Sequence, residues 1–199
     1  ECFESCVRKN PEHGRAWRNL SLYWFDKAHN GKKALCCMEK ALKYRPEDPR
    51  LLLEYEQLLK NTGASIEERL AVYDKYPELL KERDDCYLDK LTLLSQQGKY
   101  EEAIQMAAVK HFHIYEGGEG KLTKQHAWMH VLYGNELAKA GDTEKAEQIY
   151  QNGINMPKSY GEAKTFFNQE AHIYYYLSKL YTGDKRIAAL QKAAEYKAA

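Results

Sequence analysis

One local pattern recurs along the chain and limits it to helix pairs. Gly31-Lys32-Lys33-Ala34-Leu35, Gly98-Lys99-Tyr100-Glu101-Glu102-Ala103-Ile104 and Gly141-Asp142-Thr143-Glu144-Lys145-Ala146-Glu147 each read as a glycine ending one helix, a polar turn, and an alanine early in the next. Glycine supplies the left-handed residue that closes a helix. Alanine is required where two helices approach too closely for a larger side chain.

The segments upstream of these turns agree with one another. Trp17, Leu20, Ser21 and Trp24 fall at i, i+3, i+4 and i+7, as do Tyr174, Leu177, Ser178 and Tyr181. His130, Tyr133, Gly134 and Leu137 repeat the spacing with glycine as the small residue. This is one stripe of an amphipathic helix, and its small member admits the partner helix. Downstream, Ala34, Met38, Ala41 and Pro46 give a second stripe that ends in proline, and Phe3, Cys6 and Pro11 repeat its last part.

On these residues the chain resembles the tetratricopeptide repeat, a helix-turn-helix of 34 residues with large, small, aromatic, Gly, Ala and Pro positions in this order. Pro11 to Pro46 spans 35 residues and Ala34 to Ala103 spans 69, about two repeats. Ala103 to Ala146 and Ala146 to Ala189 each span 43, so each contains an insertion. The resemblance implies an all-α fold: a right-handed superhelical solenoid of antiparallel helix pairs with about eleven helices. An orphan second helix over 1–9 is followed by pairs near 14–45, 49–77, 84–110, 123–156 and 165–197. Leu52, Tyr55 and Leu59 mark the first helix of the degenerate second pair, and its second helix, around Ile66 to Tyr76, is expected to stop at Pro77. The expected domain organisation is a single solenoid over 1–199 with insertion loops near 110–122 and 156–164. Glu1 is not Met and already lies in helical-looking sequence, so the chain reads as a piece of a longer protein.

The first insertion, His111-Phe112-His113-Ile114-Tyr115-Glu116-Gly117-Gly118-Glu119-Gly120, is the least generic stretch. With the helix expected from near Lys124, it resembles the C-terminal repeats of a bacterial family of unknown function. That family carries a β-sandwich region, similar to sugar-mutarotase domains, ahead of its tetratricopeptide repeats. The glycines are not a phosphate loop, because no strand precedes them and no Gly-Lys-Ser/Thr follows. His111, His113, Glu116 and Glu119 are the loop candidates, as a chelate or as acids and their partners beside a sugar-processing site. The simpler reading is a tight loop whose carboxylates cap the next helix, and no metal or cofactor is expected. The second insertion, Asn155 to Lys164, contains Pro157, Tyr160 and Gly161. It is expected to form a turn and extend the next helix backwards through Phe166 and Phe167 as core.

Stacked helix pairs present their first helices on a concave surface. The positions that phase assigns to it are Arg15, Arg18, Leu22 and Phe25; Arg50, Leu53 and Gln57; Asp85, Leu88 and Thr92; Trp128, Val131 and Asn135; His172, Tyr175 and Lys179. Aromatic and Arg anchors of this kind suit a peptide. These residues are not the ordered Lys/Asn/Arg set by which chaperone-binding repeats hold a C-terminal carboxylate.

Charge supports the same class. Lys plus Arg number 30 against 29 Asp plus Glu, so no basic excess points to nucleic acid. No run of about 18 apolar residues is present to span a membrane. Cys2, Cys6, Cys36, Cys37 and Cys86 lack the spacing of a disulfide framework or zinc site, and read as thiols of a reducing compartment, the cytoplasm. The expectation is a non-catalytic scaffold that binds a protein or peptide, including as a candidate the N-terminal region of its own parent chain. The alternative is an accessory part of a carbohydrate-related enzyme acting through loop 111–120.

Overall fold

The computed structural model describes residues 2–113, 118–161 and 169–198, and every regular element among them is helical. The chain divides into two compact units, residues 1–90 and 91–199. Unit 1 contains α1 (Cys2–Lys9), α2 (Gly14–Asp26), α3 (Gly31–Tyr44), α4 (Pro49–Asn61), α5 (Ile66–Lys75), α6 (Pro77–Glu82) and the first part of α7 (Asp84–Gln96). Unit 2 holds the rest of α7 with α8 (Tyr100–Val109), α9 (Lys121–Lys139), α10 (Thr143–Ile154), α11 (Glu170–Leu180) and α12 (Gly183–Ala198).

The expected eleven helices become twelve among the described residues, and the difference lies at Pro77. Proline stops α5, but its fixed φ also suits the first turn of a helix. It opens α6, which buries Leu79 and Leu80.

Helix starts are set by short polar side chains. Asn30 accepts from the Lys33 amide at 3.0 Å, and Asp142 from that of Lys145 at 3.1 Å. Ser65 and Glu68 form a reciprocal capping box at α5. At the turns, Gly98 (φ +75°) and Gly141 (φ +88°) take the left-handed conformation expected of them. Gly31 does not. It is the first residue of α3, and the positive φ (+49°) falls on His29 instead. Gly31 is required for space, since a Cβ there would lie 2.6 Å from Thr62 Cγ2.

Both units are built on the repeat's small and large positions. In unit 1, Leu20 and Cys37 pack with Ala16 and Val7, and Trp17 and Trp24 lie against this cluster. Ala34, Met38 and Ala41 are buried, and the Ser21 hydroxyl donates to the Ala34 carbonyl at 2.8 Å. In unit 2, Ala127, Val131, Ala146, Tyr150, Ile173 and Leu177 form the core, flanked by Tyr174 and Tyr181. No helix among the described residues is long and apolar enough to cross a membrane.

Candidate functional site

In unit 1 the first helices of two pairs, α2 and α4, are tied together at their outer face. The guanidinium of Arg18 grips the Glu54 carboxylate with two bonds, Nε to Oε2 at 2.6 Å and Nη2 to Oε1 at 2.5 Å. Arg50, one turn before Glu54, donates through Nε to Oε1 at 3.0 Å. This pairing holds Arg18 protonated more firmly than its ordinary value, chiefly through the Glu54 hydrogen bond. Arg50 is exposed and Arg18 half-buried. Arg15, one turn before Arg18, is exposed. Leu22, Leu53 and Phe25 are half-buried, and Gln57 is exposed. Phe25 also borders an open cleft of about 810 Å³ at the loop end of the pairs, floored by Leu35 and Leu59.

On α7 one of the expected binding positions is buried and the other two are half-buried. Leu88 is 8% exposed and belongs to the core, which corrects its placement on an outer face. Asp85 is taken by Arg83, Nε to Oδ1 at 2.9 Å, and Thr92 donates to Gln125 Oε1 at 3.2 Å. Phase alone does not separate these positions from those of α2, because burial depends on what packs over them.

In unit 2, α9 and α11 carry two ring pairs, Trp128 with His172 and Tyr175 with Tyr176. Trp128 rests on the core cluster with its ring 5.3 Å from that of His172. Tyr175 is 48% exposed and meets Tyr176 edge-on at 5.4 Å. The Lys179 ammonium lies 4.6 Å from the Tyr175 ring centre and 4.5 Å from that of Tyr176, a favourable cation–π geometry. Val131 is fully buried beneath this face. Asn135 is held from below, its Oδ1 accepting from the Tyr150 hydroxyl at 2.8 Å.

The described part of the first insertion alternates exposed and buried side chains. His111 and His113 are exposed, with rings 5.6 Å apart edge-on, while Phe112 between them is buried. Phe112 stacks edge-on with Tyr160 of the second insertion at 5.4 Å, and its amide donates to the Ser159 carbonyl at 3.3 Å. Tyr160 in turn meets His126 at 5.4 Å. Glu119 is exposed, just ahead of α9. Gly120, not a carboxylate, stands at the cap position of α9, with no side-chain cap bond. Glu116 and Gly117 lie outside the described residues, as do Phe166 and Phe167. Among the described residues no three His, Cys, Asp or Glu side chains converge as a metal site would need.

No protein-family model matches the sequence. Solved structures do. YrrB, described as a TPR protein with an unusual peptide-binding site, superposes with a TM-score of 0.55 at 15% identity, covering 100% of this chain and 93% of its own. The fold is that of a tetratricopeptide-repeat protein. A double mutant of MamA RS-1 superposes at 0.51 with 16% identity, over 93% of this chain and 90% of its own, and MamA at 0.50 with 16% identity, over 86% and 91%. At such identities a tetratricopeptide-repeat fold is shared, and a fold underdetermines function.

Glu54 and Tyr176 contact the phase-selected Arg18, Tyr175 and Lys179 but were not themselves selected by phase. The Arg50–Glu54 spacing of i, i+4 signals one ion pair. Its second partner, Arg18, is 36 residues away in sequence.

Proposed function

We propose that this chain is a non-catalytic interaction scaffold of the cytoplasm that binds a polypeptide on the outward faces of its first helices. The observation that carries this reading is the pair of aromatic groups on α9 and α11 of unit 2, Trp128 with His172 and the Tyr175–Tyr176–Lys179 group. Tyr175 is nearly half exposed, and exposed aromatic rings backed by a packed core are the anchors from which interfaces draw most of their energy. The mixed Arg and aliphatic face of α2 and α4 offers a second surface in unit 1. YrrB, of the same fold, is described as having an unusual peptide-binding site, which supports a peptide as the class of ligand. The described cysteines are all free thiols, as a reducing compartment keeps them. The N-terminal region of the parent chain is one candidate partner.

The test is selection of peptides from a random display library against the intact chain, followed by calorimetric titration. The proposal expects selected peptides to bind one to one and to lose about tenfold or more in affinity with Trp128→Ala or Tyr175→Ala, as anchor truncations do. Failure to enrich any peptide sinks it.

A further inference from the structure

In unit 2 two side chains of α9 offer hydrogen-bond donors whose matching acceptors are absent or spent. The Trp128 indole can only donate, through Nε1–H, and makes no hydrogen bond among the described residues. The Asn135 oxygen is taken by the Tyr150 hydroxyl at 2.8 Å, so the NH2 end of that amide is the one left to a ligand. On α11 the Lys179 ammonium lies against the Tyr175 and Tyr176 rings, 4.6 and 4.5 Å from their centres.

These groups share one surface. Trp128 and Asn135 stand at i and i+7 of α9, two turns apart on the same side. His172, Tyr175, Tyr176 and Lys179 stand at i, i+3, i+4 and i+7 of α11, again on one side. The Trp128–His172 ring contact at 5.3 Å joins the two sides. His172 and Tyr175 are exposed, and Trp128, Asn135 and Tyr176 are half-buried. The face therefore combines rings backed by a packed core with donors that the fold leaves unused.

Proline is the complement of such a face. It has no N–H, and in the polyproline II helix its carbonyls have no internal partner. Aromatic-lined grooves take such segments because the helix is ordered before it binds. An ordinary extended peptide brings N–H donors as well, and the Asn135 oxygen that could accept one is already held. We infer that the α9–α11 face of unit 2 receives a proline-rich segment in the polyproline II conformation. Its rings lie on His172 and Tyr175, and its carbonyls accept from Trp128 Nε1 and the Asn135 amide. The inference rests on the scaffold reading and names the partner's chemistry. Lys124 and Lys139 stand one turn outside Trp128 and Asn135 and are exposed, so an acidic ligand is the rival to be separated.

The test uses the intact chain and a fluorescein-labelled peptide of about nine residues, Pro-Pro-Ser repeated, which spans about 28 Å as polyproline II. Anisotropy titrations compare it with the same peptide carrying Ala for Pro. The proline peptide should bind about tenfold or more tightly, since less order is lost on binding, and should change little as salt is raised, since no ion pair is screened. Trp128→Phe keeps an aromatic ring without the donor and should lose about fivefold, the size of one hydrogen bond. Tyr175→Ala should lose about tenfold or more with no change in melting temperature. Equal binding of the two peptides, or full retention by either variant, overturns the inference. So does equal competition by an unlabelled Glu-Ser peptide of the same length, which would show capture by lysine charge, or by a single-stranded oligonucleotide, which would show base stacking. If the proline peptide fails while library peptides still bind through Trp128 and Tyr175, only this inference falls; if neither binds, the scaffold reading falls with it.

Discussion

The ring of Tyr150 closes on Gly134 so tightly that a Cβ at position 134 would lie 2.4 Å from Tyr150 Cε1. The ring has nowhere to retreat. Tyr150 is 1% exposed and its hydroxyl is anchored on Asn135 at 2.8 Å. Burial pushes that hydroxyl's pKa up to about 12, so it stays a neutral donor. The small position of the repeat is thus a contact surface for the second helix.

Gly134→Ala tests this contact by the sign of its effect. In an open helix interior the change stabilises by about 1 kcal/mol. Here overpacking should cost about 1–3 kcal/mol and outweigh that gain. Urea unfolding should show a lower midpoint; a higher one would mean that Tyr150 moves aside freely.

How far the sequence could be read follows from the range of each interaction. Ala34, Ala103, Ala146 and Ala189 were legible as close-approach positions because the helix period sets them, and all four are buried. Ser21, Gly134 and Ser178 follow the same logic. Pro77 was ambiguous, since one residue both ends a helix and opens the next. Leu88 shares the phase of the exposed Arg15 and Arg50 yet is buried, because its exposure depends on neighbours outside its own helix. The Phe112–Tyr160 contact joins residues that no local pattern relates.

Arg69 predicts a large loss in unit 1. It is buried between Glu56, with which it pairs, and Asp89, 3.3 Å away, which also accepts from the Tyr73 hydroxyl at 3.0 Å. Burial, then the charge of Asp89, raises the Glu56 pKa against the pull of Arg69. Arg69→Leu leaves that carboxylate uncompensated and should cost about 3–5 kcal/mol at neutral pH. A raised carboxylate penalises the fold above its folded pKa, and the penalty disappears below the unfolded value. The deficit should therefore shrink on acidification, as denaturation at neutral and acid pH will show.

His130 predicts the opposite slope nearer neutrality. Burial lowers its pKa from the ordinary 6.5, with its Nδ1 2.8 Å from the His126 carbonyl. The folded chain holds this proton less tightly than the unfolded chain does. The contribution is full above about 6.5 and is lost as pH falls from there towards the depressed value. Melting temperature should fall over that window, and His130→Leu should flatten the fall.

Phe112→Ala should loosen both insertions together. It removes a buried ring from Tyr160 and should cost about 3–5 kcal/mol. Hydrogen exchange should rise around residues 158–161 more than in α10. A rise confined to residues 110–113 would show that the two insertions are independent.

The central claim, that polypeptide ligands seat on the first-helix faces, is tested most directly by photocrosslinking. A photoreactive residue is placed at Tyr175 on α11 and, separately, at Val109, which is 84% exposed at the end of the second helix α8. Each variant is irradiated with the same library-selected peptide. The account predicts capture at position 175, abolished by unlabelled peptide, and none at 109. Capture at 109 with none at 175 would contradict it.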